Sequence, residues 1–480
     1  LSRWIIGDLS VADARERQPE GHTMKSGFMK LGLMPEGGGR TGTDWMNPGM
    51  PPYPGTNFEK HKEQALIAEE FKADFFFVAD TLWADEVSPP HRLDRFEAMT
   101  LLAAIAAVTT NIGLVGTMST TFCEPFNIAR QVLSLDHISN GRAGWNLVTT
   151  DPKGSSDNYG RFHAISHGER YEIGEEAYRV VTGLWDSFED DALPQDKEKG
   201  VFLIPEKLHA LDHKGKYFES KGPLNLHRSL QGRPIVFTAT ASDDGLAFAA
   251  RFIDCVFTPG SYGIGVNQEF YRKLKAKAVA YGRDPDSVAI LPGCTPLIAP
   301  TREAARAIQD GRRQQIGVEG AIKYLSGSFH GFDLRKYALD DPFPLSAIES
   351  VAEGFKGNMT HMLRIAREEQ LTVRQFAMRF GFPKDQFVGT AEEIADEMQE
   401  WIETQACDGF MLVESQPGQL RLFADLVAPI LRERGLLRRE YEGTTLREHL
   451  GLAKPENQFV AAERSRRESA AHARTPSAAE

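Results

Sequence analysis

Short apolar runs alternate with longer stretches of helical periodicity along most of this chain. Phe75-Phe76-Phe77-Val78 is apolar without interruption, and it follows a segment, 58–71, in which Ala65, Leu66, Ala68 and Phe71 fall on one side at helical spacing. A short continuous run suits a strand buried on both faces, and a three-to-four spacing suits a helix with one buried side. The pattern predicts strands over residues 28–34, 73–79, 112–117, 143–148, 234–238, 255–258, 288–292 and 409–413. Between them it predicts helices over 58–71, 95–109, 125–139, 171–187, 242–252, 267–281 and 391–405. Strands alternating with helices specify βα units and a parallel sheet. About eight units favour a closed (β/α)8 TIM barrel, an α/β fold, over an open doubly wound sheet. No Gly-x-Gly-x-x-Gly follows any of these strands, so the dinucleotide-binding fingerprint is missing.

Some segments do not fit the alternation. Residues 36–57 form a long Gly/Pro-rich loop holding Gly37-Gly38-Gly39 and Trp45, and loops of that length in compact domains are usually functional or mobile. Residues 190–221 and 313–385 exceed ordinary connections and read as insertions at the C-terminal face, above the barrel mouth. The expected organisation is an N-terminal extension (1–24), the barrel with its insertions (25–453) and a tail (454–480). The tail is rich in Arg, Ser, Ala and Glu and is expected to be disordered. The extension contains Trp4-Ile5-Ile6 but no long apolar core or small-residue cleavage site, so it does not read as a secretory signal.

Composition narrows the partners. A net charge of −12, from 67 acidic against 55 basic side chains, argues against a nucleic-acid surface, which needs clustered positive charge. A small anion remains compatible, because amides at one helix start can bind phosphate locally. The longest apolar run, 101–108, is far short of the ~18–20 residues of a membrane span. Cys123, Cys255, Cys294 and Cys407 form no Cys-x-x-Cys pair. They give no metal signature and suit a reducing compartment, with the cytoplasm as the expected location.

A barrel of this type carries its chemistry at the C-terminal ends of the strands. Those positions hold Asp80, Thr117, Asn146 with Thr149-Thr150, and Ser242. Ser242 stands between an apolar strand and a helix, where a serine either caps the helix or helps present its free amides to a phosphate. Asp243 and Asp244 would repel that phosphate unless they point outward. His167 and Tyr171, four apart, share a helix face and either grip a polar ligand or sit as a surface histidine beside a half-buried phenol. Asp80 directly follows a fully apolar strand and needs solvent or a partner. Cys123 has no neighbour that would activate it, so a structural thiol is favoured. No His-Glu-x-x-His or Gly-x-Ser-x-Gly motif occurs.

The ordered motifs carry a resemblance. Ser119-Thr120-Thr121, Glu124-Pro125-Phe126, Ser134-Leu135-Asp136-His137 and Gly141-Arg142-Ala143-Gly144-Trp145-Asn146-Leu147-Val148-Thr149-Thr150 lie in the first half. Asn158-Tyr159-Gly160, His167-Gly168-Glu169-Arg170-Tyr171, Gly282-Arg283-Asp284-Pro285 and the run from Glu440 to Leu452 continue the series. Together, over about residues 30–452, they resemble the two-component flavin monooxygenases of the bacterial luciferase-like family. Within it they resemble the group of nitrilotriacetate monooxygenase component A, with dibenzothiophene-sulfone monooxygenase and long-chain alkane monooxygenase as relatives.

The resemblance implies an enzyme that takes reduced FMN (FMNH2) from a separate NAD(P)H:flavin reductase. It would activate O2 as a flavin peroxide, oxidise a small organic molecule at a C–N, C–S or C–H position, and form a homo-oligomer. It places Asp80 and Thr117 at strand-end contacts near the flavin ring, Asn146 as a flavin neighbour, His167 and Tyr171 among the FMN contacts in a His-x-x-Arg-Tyr segment, and Ser242 at the phosphate-binding turn, with His167 also a candidate catalytic residue. The pattern is not followed everywhere. Trp45-Met46-Asn47-Pro48 stands where the family has Trp-Arg-His/Tyr-Pro, which leans towards a less anionic, partly aromatic substrate. Thr240-Ala241-Ser242 stands where Gly-Ser-Ser is usual. Two other readings stay open at this point: a deazaflavin-dependent oxidoreductase of the same superfamily, and a non-catalytic flavin-binding protein.

Overall fold

The computed structural model describes residues 27–474, apart from 40–42, 87, 151–153, 162–164, 241, 259, 261–262, 329–331, 352–357, 383–385 and 415. The expected N-terminal extension, 1–24, and the last six residues lie outside the described part. Eight parallel strands close into one barrel. They are β1 (Lys30–Met34), β2 (Phe75–Val78), β3 (Gly113–Ser119), β4 (Ala143–Val148), β5 (Ile235–Ala239), β6 (Cys255–Thr258), β7 (Ala289–Cys294) and β8 (Gly409–Val413). Each pairs with its neighbours in chain order, and Lys30 opposite Gly409 closes the ring between β1 and β8. The helices that matter below are α1 (Phe58–Glu70), α2 (Ala98–Ala106), α3 (Pro125–Ile138), α4 (His167–Trp185) and α5 (Asp243–Phe252). Helix α4 starts four residues before its apolar periodicity does. Ser166 caps it by accepting from the Glu169 amide, and a polar first turn carries no hydrophobic signal.

Side-chain alternation explains why the strands read as unbroken apolar runs. Phe75, Phe77, Val115, Ile235, Phe237, Leu291 and Met411 point inward and form the barrel's own core. Phe76, Val78, Leu114, Trp145 and Val236 point outward into the core shared with the helices. Leu446 and Leu450 from the C-terminal segment join the inward cluster and seal its base. Gly113 makes room for this plug, since a Cβ there would lie 2.5 Å from the Leu446 side chain. Fully burying one such leucine contributes about 1.5–3 kcal/mol. A buried ion pair, Arg438 to Asp74 at 2.6 Å, pins the same segment. The base is thus closed and apolar, which leaves the opposite end for chemistry.

Three expectations about the excursions change. Residues 190–221 do not sit above the mouth. They follow α4 and so leave from the base of the barrel, then climb the outer flank of that helix. There Glu176 accepts from the Phe218 amide at 2.8 Å, and Glu172 accepts from Lys216 Nζ at 2.9 Å. The expected disordered tail includes a helix, Gln458–Arg474. Its start is fixed because Asn457 Nδ2 donates to the carbonyls of Asp186 and Phe188, both at 2.9 Å, and Phe459 stacks on His209.

The third excursion, expected over 313–385, does leave from the C-terminal face, between β7 and β8, but it is wider than predicted. It begins with a helix at Arg302–Ser328, broken at Gly317 (φ 62°), and is bracketed by a short parallel ladder of Leu297–Ile298 with Val388–Gly389. It carries its own core of Ile322, Leu325, Ile348, Leu363, Val373 and Phe376. Arg312 on its first helix pairs with Asp44, in the loop after β1, at 3.3 Å, with both side chains largely buried.

Candidate active site

Two polar clusters occupy the C-terminal ends of β2 to β5. The first is built on register. Val115 faces the barrel interior, so Thr117, two residues on, faces it as well, and Asn146 on β4 is its direct partner across the ladder. Thr117 Oγ1 donates to the Val78 carbonyl at 2.9 Å and accepts from Asn146 Nδ2 at 2.9 Å. Both side chains are buried, and Asn146 Oδ1 has no hydrogen-bond partner among the described residues. Asp80 lies just past β2. Its Oδ1 accepts from the Thr81 amide at 2.7 Å and faces Arg95 Nε at 3.6 Å. Burial pushes this carboxyl above the usual aspartate range, and the Arg95 guanidinium opposes that shift.

The second cluster forms where the starts of α4 and α5 meet. Ser242 caps α5 by accepting from the Gly245 amide at 3.2 Å, and Tyr171 Oη lies 3.3 Å from Ser242 Oγ. Ser242 Oγ accepts from the helix, and of the Tyr171–Ser242 hydroxyl pair one proton bridges the two oxygens while the other is left for an oxygen at the mouth. The Tyr171 ring meets His167 edge-on at 5.2 Å and leans on Phe248 at 6.0 Å. Arg170 Nη2 lies 3.2 Å from His167 Nδ1, and His167 Nε2 lies 3.7 Å from Asp244. With Nδ1 as acceptor, the neutral ring carries its proton on Nε2. Asp243 and Asp244 are exposed in the first turn, and Asp244 faces His167, so solvent screens their repulsion of an anion bound at the helix start. Both roles weighed for Ser242 are therefore compatible with its geometry.

Sequence reasoning missed several members. Thr240 Oγ1 is buried without a partner beside this cluster, and a Cβ at Gly245 would lie 1.7 Å from it and 2.7 Å from Tyr171 Oη. Arg170 Nε is likewise buried without a partner. Thr240 and Arg170 sit within two residues of positions already singled out, so inspecting the whole turn would have found them. Arg95 is different: its partner is fifteen residues away in a loop, and no periodicity links the two. Thr150 reaches Ser119 at 2.8 Å across the ends of β4 and β3, which gives the Thr149-Thr150 pair a structural task. Burial pushes the Cys123 thiol above its ordinary range, against a nucleophilic role.

An FMN-sized ligand with an anionic phosphate can be tested against these groups. The mouth offers buried polar atoms without protein partners (Asn146 Oδ1, Thr240 Oγ1 and Arg170 Nε), and buried polar atoms in folded proteins are normally satisfied. It also offers the first-turn amides of α5, which lack intrahelical acceptors. The donor set suits an aromatic ring system at the Thr117–Asn146 end and an anion at the Tyr171–Ser242 end.

Comparison with known proteins agrees with this architecture. The family model "Luciferase-like monooxygenase" matches residues 43–408. The chain is 43% identical over 445 residues to an N-acetyl-S-(2-succino)cysteine monooxygenase of Bacillus subtilis (strain 168), covering 91% of this chain and 100% of that one. It is 37% identical to nitrilotriacetate monooxygenase component A of Aminobacter aminovorans, covering 89% and 97% of the two chains. Among solved structures, a riboflavin lyase with modified FMN and riboflavin matches with a TM-score of 0.76 at 32% identity, over 91% of this chain and 99% of the other. On the closed barrel, the family match and these identities, the chain belongs to the luciferase-like monooxygenase family of oxidoreductases.

Proposed function

We propose that this protein is the oxygenase component of a two-component system that binds FMN in its reduced form and uses O2 to oxidise a small organic substrate at a C–N, C–S or C–H position. The observation that carries this reading is the set of buried, unpartnered polar atoms on Asn146, Thr240 and Arg170 at the barrel mouth. The Aminobacter relative is one component of its monooxygenase, and pristinamycin IIA synthase of Streptomyces pristinaespiralis, another relative, is likewise divided between chains. That division of labour supports a separate NAD(P)H:flavin reductase as partner. Bound reduced FMN would supply the electrons that activate O2.

The chain's own residues hold that group and shield it. Thr117 and Asn146 provide the polar floor, with Asp80 beside them, and Tyr171, Ser242 and the first turn of α5 take the phosphate. His167, half exposed and flanked by Arg170 and Asp244, is proposed as a cofactor-holding residue rather than a proton donor. The insertion between β7 and β8 is proposed as a cover that keeps water from the reacting centre. Met46 is more than half exposed and Asn47 partly so, so the two residues that set this chain apart from the usual entrance motif are open to solvent. The names of the 43% and 37% identical relatives make an S-substituted N-acetylcysteine and an aminopolycarboxylate the first substrates to offer.

The test is anaerobic titration with photoreduced FMN, followed by rapid mixing with air-saturated buffer and candidate substrate. Saturable binding and substrate-dependent consumption of O2 are expected. A protein that binds neither oxidised nor reduced FMN would overturn the reading. Replacing His167 with Ala should weaken FMN retention more than it slows turnover at saturating flavin, and the reverse would return His167 to a catalytic role.

A further inference from the structure

The hydrogen bonds around Asn146 fix more than its position. Thr117 has one hydroxyl proton, and the 2.9 Å contact with the Val78 carbonyl uses it, because a carbonyl can only accept. Thr117 Oγ1 is therefore an acceptor on its other side, and the group 2.9 Å away on Asn146 must be the amide nitrogen. The amide cannot turn over without setting two acceptors against each other. Asn146 Oδ1 is thus held as a fixed acceptor that no donor among the described residues reaches, on a residue 4% exposed. Its register partner on the other side, Phe237, is apolar and offers it nothing. A buried acceptor in this state calls for an N–H donor from the ligand.

We infer that Asn146, oriented by Thr117 and Val78, is the residue by which the site selects the reduced over the oxidised flavin ring, by accepting from the N5–H that exists only after reduction. This rests on the flavin reading above. The oxidised ring presents N5 as an acceptor, which a carbonyl oxygen repels; the two-electron, two-proton reduced ring presents N5–H as a donor. The N3–H of the pyrimidine edge is present in both states, so an acceptor placed there would give no selection. Thr117 is a positioning residue in this scheme: it needs no contact with the ring, and it acts by denying Asn146 the flipped orientation in which the ring would meet an NH2 group.

The experiment measures dissociation constants of the whole protein for FMN, for reduced FMN and for reduced 5-deaza-FMN, which keeps N3–H but carries carbon at position 5. All three are measured under argon by equilibrium dialysis. The wild type should bind reduced FMN at least about tenfold more tightly than either of the others. Asn146→Leu should lose most of that preference, chiefly through weaker binding of reduced FMN. Thr117→Val, which keeps Asn146 but frees it to turn, should lose it too, and Thr117→Ser should restore it. Far-ultraviolet circular dichroism and melting curves keep misfolded variants apart from selective ones. Equal weakening of all three ligands in Asn146→Leu, or a preference that survives Thr117→Val, would overturn the inference and leave the flavin reading standing. A wild type that binds none of the three would overturn both.

Discussion

At the scale of single residues, Asp80 shows how the mouth is tuned by groups distant in sequence. Burial raises its carboxyl and Arg95 holds the shift in check. A carboxyl with a raised folded-state value favours folding at low pH, and that contribution is lost as pH rises through the folded value. For cofactor binding the sign matters differently. If ionised Asp80 contacts the flavin, affinity falls on the acid side, where the carboxyl takes up a proton. Arg95→Met removes the opposing charge, so the acid limb of FMN binding should move to higher pH; dissociation constants measured from about pH 5 to 8 would show it. An unmoved limb would mean that Asp80 does not titrate in contact with the ligand. Tyr171→Phe and Ser242→Ala should each weaken FMN binding about ten- to 150-fold, the range for one lost hydrogen bond to a charged group, and should leave riboflavin binding little changed. An equal loss for riboflavin would move these residues away from the phosphate.

At the scale of elements, the start of α5 shows what a sequence conceals. Gly245 reads as an ordinary helix glycine, yet a methyl group there would fall 1.7 Å from Thr240 Oγ1 and 2.7 Å from Tyr171 Oη. Gly245→Ala should therefore destabilise the fold by about 1–3 kcal/mol in denaturant unfolding and weaken FMN binding at once. A loss of stability with unchanged affinity would show that the cluster is structural only. The strands were legible because each is buried on both faces, so Phe75–Val78 or Gly409–Val413 could hardly be anything else. The candidate positions Thr117, Asn146 and Ser242 followed from where those strands end, and register turns the first two inward. The tail was not legible, because its anchor is two carbonyls, of Asp186 and Phe188, about 270 residues upstream. Asn457→Ala leaves both unsatisfied and should lower stability by about 1–3 kcal/mol. Insertion 190–221 was misplaced for a topological reason: its length was visible, but which end of the barrel it leaves from depends on its following a helix rather than a strand.

At the scale of the whole molecule, the division between a closed base and an open mouth decides where a moving part can act. Leu446, Leu450 and the Arg438–Asp74 pair lock the base. The insertion between β7 and β8 has a core separate from the barrel's, and its first helix breaks at Gly317, beyond Arg312. Arg312 reaches Asp44 in the loop after β1, so among the described residues an ion pair joins the insertion to that loop. A cover that is packed within itself and tied at such a point can lift as a unit when the tie is cut, without unfolding. Such a cover would matter because activated oxygen exposed to water is lost as hydrogen peroxide instead of reaching substrate. Arg312→Ala should then raise hydrogen peroxide released per reduced flavin oxidised by about two- to tenfold, while FMN affinity, proposed to rest on Tyr171 and Ser242, changes little. Charge reversal at both ends, Arg312→Asp with Asp44→Arg, should recover part of the coupling, which a general loosening of the helix would not. Product and peroxide counted together against reduced flavin consumed would decide it: unchanged coupling in Arg312→Ala would mean that the insertion contributes shape to the entrance and not closure.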